Sequence, residues 1–183
     1  MYTILKEAED FKDFEFVLKA RHKWSKIIGK EVFTYLWIVR DGEELHFVCC
    51  DSQRLHSCIC DRDLETGIYE VEKISKGYVI NKLETQLTHP NISHLLNTTH
   101  EEYKIIEPIN SKKDEVSRLV SKVLASIACC FIEHNAYINY DSLKDAIVNR
   151  ETDLSVKLNC DEPRSPIVIE NATTKAVIMP CVI

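Results

Sequence analysis

The spacing of apolar positions divides the chain into helix-like and strand-like stretches. Over residues 10–28, Val17, Ala20, Trp24, Ile27 and Ile28 recur at helical spacing on one face, and Lys19, Lys23 and Lys26 fall on the opposite face. Gly29 is the expected stop. Strand signals follow. Val32–Val39 is rich in β-formers, Asp41-Gly42 marks a hairpin turn, Leu45–Cys50 returns and Leu55–Cys60 continues. Ile68–Ile74 alternates, with Ile68, Glu70, Glu72 and Ile74 on one side and Tyr69, Val71 and Lys73 on the other; Gly77 then opens a strand over Tyr78–Leu83.

The second half repeats this order. Residues 86–101 are polar and are expected to form a long loop or a short helical turn, which makes them the candidate boundary. Residues 111–132 carry the strongest helical stripe: Val116, Leu119, Val120, Val123, Leu124, Ile127, Ala128 and Phe131, with Ser111 as N-cap and Arg118 and Lys122 on the other side. A short helix over Tyr140–Val148 and strands over Leu154–Asn159, Pro166–Glu170 and Ala176–Cys181 complete the pattern. The expectation is an α+β fold, with helices packed on one face of largely antiparallel sheets. Its halves are residues 1–85 and 111–183, joined by a linker or loop over 86–110.

Composition narrows the function classes. The 183 residues are 45% hydrophobic with four Gly and five Pro, enough for a real core and too few for long disordered linkers. No stretch approaches the roughly 18 apolar residues of a membrane span. Met1–Glu7 is interrupted by charge before any signal-peptide run forms, so a cytoplasmic location is expected. The eight cysteines sit in apolar runs and read as reduced core thiols. Asn91, Asn97 and Asn171 head glycosylation-type triplets, read as chance matches without an export signal.

The net charge of −6 excludes a protein that coats nucleic acid with its whole surface. It leaves room for a local basic face. Residues 12–30 hold six Lys or Arg against two acids. Lys19, Lys23, Lys26 and Lys30, with Arg118 and Lys122 from the second helix, are candidates for sequence-independent phosphate contact; the plain alternative is a solvated helix face. Cys49, Cys50, Cys58 and Cys60 with His46 and His56 include no Cys-x-x-Cys pair, and adjacent cysteines in a strand point to opposite faces, so no metal is expected. No phosphate loop and no nucleophile–base motif is present. The chain reads as a binding module without cofactor or reaction of its own.

Two motifs remain. One runs from Asp41 to Leu55: a hairpin turn, a strand, a polar Asp51-Ser52 corner and an Arg54-Leu55 pair. The other comprises Tyr137–Ile147, Ser165–Ile169 and the apolar tail Val177–Ile183. That tail is either the last core strand or the lining of a groove for short peptides.

These motifs resemble those of the bacterial β sliding clamps. Cys49-Cys50-Asp51-Ser52-Gln53-Arg54-Leu55 is similar to the family's Ala-Thr-Asp-Gly-His-Arg-Leu. Ile138-Asn139-Tyr140-Asp141-Ser142-Leu143, Ser165-Pro166-Ile167 and Ile178-Met179-Pro180-Cys181-Val182-Ile183 are similar to its Phe-Asn-x-x-Tyr-Leu, Ser-Pro-Leu and Val-Met-Pro-Met-Arg-Leu. Together they cover about a third of the chain. Ser52-Gln53 replaces Gly-His, and Val182 replaces the penultimate Arg. The chain is also roughly half the usual clamp length, which normally holds three domains. A shortened clamp must build its ring from more subunits or build none.

The resemblance implies a clamp-like homo-oligomer that encircles duplex DNA without reading sequence. It further implies a pocket for clamp-binding peptides of polymerase or repair proteins, formed by Cys50, Asp51, Arg54, Leu55, Met179, Pro180, Cys181, Val182 and Ile183. Leu55→Asp is expected to abolish docking with the fold intact. The rival readings are a non-ring protein that mimics the pocket and sequesters clamp partners, and a small enzyme of unrecognised class.

Overall fold

The computed structural model describes residues 1–21, 31–85, 87, 104–109, 136–147, 154–158 and 164–182. They form an α+β fold in two compact units, Met1–Leu96 and Asn97–Ile183.

In the first unit the strands are β1 (Tyr2–Leu5), β2 (Leu36–Asp41), β3 (Glu44–Cys50), β4 (Arg54–Ile59), β5 (Gly67–Ile74) and β6 (Gly77–Lys82). They lie in the order β1-β6-β5-β2-β3-β4, every neighbouring pair antiparallel. Asp41-Gly42 makes the expected turn: Gly42 has φ +60°, and Asp41 pairs with Glu44 across the hairpin. Leu36–Val39, Phe47–Cys50 and Leu55–Cys58 are buried at consecutive positions. Because neighbouring side chains in a strand point to opposite faces, both faces of β2, β3 and β4 are covered.

Helix α1 (Phe11–Leu18) packs on β3 and β4. Its Phe14 is fully buried, edge-on to Phe47 with ring centres 5.1 Å apart and tilted against Tyr78 at 5.6 Å. Burial of one such ring stabilises by about 1.5–3 kcal/mol. Val17 and Ala20 of the expected apolar face are buried, and Phe11 and Phe14 extend that face towards the N-terminus.

The helix is shorter than its apolar spacing predicts. It ends at Leu18, and the amides of Lys19, Ala20 and Arg21 bond to carbonyls three residues back, at 3.1–3.2 Å. That tighter 3₁₀-type closure ends a helix by satisfying donors that another α-turn would otherwise take. Residues 22–30, with Trp24, Ile27 and Ile28, lie outside the described residues, as do most of the expected loop over 86–101 and the helix over 111–132. The strand expected from Val32 begins only at Leu36, because Glu31–Thr34 form a 3₁₀ turn.

Gly77 is required where it stands. Its φ is +148°, and the Ile4 carbonyl of β1 occupies the space a Cβ would need. The pairing of Leu5 with Gly77 therefore depends on a residue without a side chain.

In the second unit β7 (Lys104–Ile109), β9 (Leu154–Leu158), β10 (Ile167–Glu170) and β11 (Thr174–Ile178) form an antiparallel sheet in the order β7-β9-β10-β11. Helix α2 (Tyr140–Ile147) packs on β11, with Leu143, Ala146 and Ile147 buried. A short ladder joins β8 (Ala136–Tyr137) to β12 (Cys181–Val182), pairing Cys181 with Tyr137. The single strand expected over Ala176–Cys181 is thus split in two. Pro180 has no amide proton to continue the β11 ladder, and the chain leaves to pair elsewhere. Among the described residues, no helix is long and apolar enough to cross a membrane.

Candidate docking site

The corner between β3 and β4 draws together four of the residues expected in a peptide pocket. Cys50 and Leu55 face each other as the last pair of the hairpin. Asp51, Ser52, Gln53 and Arg54 form the turn, closed by the Asp51 amide donating to the Arg54 carbonyl at 3.2 Å. Ser52 has φ +76°, and Gln53 is not in the positive region. The Ser52 φ lies in the left-handed region, which favours glycine. The sliding-clamp motif carries glycine at this position, so the turn geometry gives a physical reason for that residue type and marks Ser52 as a strained replacement.

The Asp51 side chain is built into the turn. Its Oδ1 accepts from the amides of Gln53 (3.2 Å) and Arg54 (3.1 Å), and its Oδ2 accepts from Arg54 Nε at 2.9 Å. Arg54 also donates from Nη2 to the Lys19 carbonyl at the end of α1, at 2.9 Å. Two residues along the same face of β4, fully buried His56 places Nδ1 2.9 Å from the Phe16 carbonyl and stacks on the Phe16 ring at 4.3 Å. Arg21 donates to the Val71 carbonyl at 3.2 Å. Carbonyls of the last turn of α1 thus go to side chains of β4. From sequence His56 stands out only beside the cysteines; its place two positions after Arg54 in a strand is the signal that ties it to this corner.

Leu55 is 2% exposed. This corrects the expectation for Leu55→Asp, because a carboxylate introduced there would be buried without a partner and would remove the fold together with the site. Met179 is 39% exposed, so substitutions there leave the core alone. It follows β11 and precedes Pro180 and β12, in the second unit. There Asn139 caps α2: its Oδ1 accepts from the amides of Asp141 (2.9 Å) and Ser142 (3.3 Å), which explains the Asn of the Ile138-Asn139 motif. The first helical residue, Tyr140, is 51% exposed. Apolar spacing did not single it out.

The basic candidates are represented by Lys19, at the C-cap of α1 and partly exposed. Lys23, Lys26, Lys30, Arg118, Lys122 and Ile183 lie outside the described residues. Cys49, Cys50, Cys58 and Cys60 are free and buried. Burial pushes the thiols of Cys50 and Cys60 up to about 11 and holds those of Cys49 and Cys58 well above the usual thiol range, so all four are protonated at neutral pH. Among the described residues no group of three His, Cys, Asp or Glu is placed to hold a metal ion.

The strained turn sets a stability test. Ser52→Gly is expected to raise the unfolding free energy by about 0.5–1 kcal/mol, since relief of a left-handed residue outweighs the extra freedom of glycine in the unfolded chain. Urea titration of both proteins checks it; equal or lower stability of the variant removes the strain argument.

No family model and no curated protein matches this sequence. Solved structures do. The DNA polymerase III subunit beta of Borrelia burgdorferi superposes over 100% of this chain and 65% of its own, with a TM-score of 0.62 and 12% identity. That of Pseudomonas aeruginosa covers 100% and 66%, with a TM-score of 0.60 and 11% identity. The Helicobacter pylori beta clamp bound to a DNA ligase peptide covers 99% and 66%, with a TM-score of 0.57 and 14% identity. This chain therefore spans less than two thirds of the length of each of these structures. At such identities the likeness is one of fold, and along its whole length the chain has the fold of the DNA polymerase III β sliding clamps.

Proposed function

We propose that this protein is a sliding-clamp-like tethering factor. It oligomerises on duplex DNA, makes phosphate contacts without reading sequence, and docks replication or repair enzymes through an apolar peptide site. It carries out no reaction of its own. The observation that supports this reading most is the fold likeness over the whole chain to clamps from several bacteria, one of them holding a DNA ligase peptide. In this reading Cys50, Asp51, Arg54, Leu55, Met179, Pro180, Cys181, Val182 and Ile183 form the peptide site. Lys19, Lys23, Lys26, Lys30, Arg118 and Lys122 meet the phosphates. The two units act as two clamp-like modules; the halves expected over 1–85 and 111–183 change in that β7 (Lys104–Ile109), inside the expected linker over 86–110, belongs to the sheet of the second.

The peptide site is tested at its exposed member. Met179→Glu is expected to weaken binding of a DNA ligase peptide about tenfold or more in a fluorescence titration, with unchanged thermal unfolding, because a charge replaces an adaptable apolar contact. A dissociation constant equal to wild type takes Met179 out of the site.

DNA contact is tested through salt. Each phosphate contact contributes about 0.9 to the slope of log affinity against log salt concentration. Replacing Lys19, Lys23 and Lys26 together by Gln is expected to flatten that slope by about 2–3 on a random-sequence duplex. An unchanged slope means these lysines form only a solvated face.

In a second reading the chain keeps the docking site without a ring and sequesters clamp partners. Size-exclusion chromatography with light scattering separates the two. The tethering reading expects a defined multiple of the chain mass. A monomer at working concentration that still binds the peptide gives the second reading the better claim.

A further inference from the structure

We propose that Arg54 is a positioning residue of the docking site and not a contact for the docked peptide; this rests on the docking reading above. The argument is geometric. A guanidinium presents five N–H donors in a rigid plane on three separate nitrogens, so a single arginine reaches acceptors set farther apart than the three donors on one lysine nitrogen can span. Arg54 uses Nε on the Asp51 carboxylate at 2.9 Å and Nη2 on the Lys19 carbonyl at 2.9 Å. Its side chain is 13% exposed and that of Asp51 19%. The acceptors it bridges belong to different elements, the turn that carries Cys50 and Leu55 and the last turn of α1. His56 fastens the same helical turn through Phe16 from the same face of β4.

The turn and the end of α1 are therefore joined through one planar group. Remove the fork and the turn loses its hold on the helix, while the pairing of Cys50 with Leu55 at the hairpin end remains. The residue that stands among the pocket residues by resemblance thus sets where the corner sits, and exposed Met179 is left to meet the peptide.

The test uses the full chain, the ligase peptide named above and three variants: Arg54→Lys, Arg54→Met and the milder Asp51→Asn. Peptide titrations are run across a salt series at a temperature where each protein is folded, alongside amide hydrogen exchange at Lys19, Ala20 and Arg21. If Arg54 positions the corner, Lys and Met weaken the peptide by similar factors, about tenfold, the fold-change of one lost charge-assisted hydrogen bond. Exchange at the three amides speeds up in both, and the salt dependence of peptide binding stays that of wild type. Asp51→Asn moves affinity and exchange in the same direction by less, and decides the matter should the arginine variants fail to fold.

Three results overturn the proposal. Wild-type binding by Arg54→Lys with loss in Arg54→Met would mean that charge and not the fork is used. A flatter salt dependence in Arg54→Met would place the guanidinium on the peptide. Unchanged affinity in every folded variant would leave a purely structural role. Wild-type protein that binds no peptide sinks the docking reading itself, and is distinct from all three.

Discussion

Helix α1 is fastened to the sheet by an arginine at each end, and the first unit is organised around that attachment. At its N-terminal end Arg62 pairs with Asp10 through two nitrogens, donates to the Tyr2 hydroxyl at 2.8 Å and lies over the Tyr2 ring. At its C-terminal end Arg54 takes the Lys19 carbonyl. The charges suit the helix, an acid where backbone amides are unsatisfied and a cation where carbonyls are. Between the fastenings Phe14 fills the space over β3 and β4. Neither the ends nor the middle would hold an eight-residue helix alone, since helices this short are marginal without tertiary contacts.

The same attachment gives the candidate docking corner its stiffness. Asp51 and Arg54 spend their polar groups on one another, on the turn backbone and on α1. Met179, in contrast, is exposed and conformationally adaptable.

Much of this architecture is legible in the residues, and the exceptions have identifiable causes. Asp41-Gly42 announces its hairpin because glycine alone reaches φ +60° without strain. The alternating run at β5, the opening of β6 at Gly77 and the helix start near Asp10 follow from local pattern. The end of α1 does not, because apolar spacing continues to Ile28 while tertiary contacts close the helix at Leu18. The break after Ile178 was available in Pro180, whose missing amide outweighs the β-forming residues around it. At the site, Asp51 could be read as a turn former. That Arg54 reaches across 35 residues to a backbone carbonyl could not, because sequence spacing carries no information about which strand a helix end meets.

The close approach at Gly77 has a consequence for the sheet margin. Strand β1 is four residues long and is bonded along one side to β6. If it peeled away, β6 would present a row of open amide and carbonyl groups, a ready template for an intruding chain. By letting the Ile4 carbonyl settle where any other residue would place its Cβ, Gly77 keeps β1 zipped along β6 and that row of β6 covered.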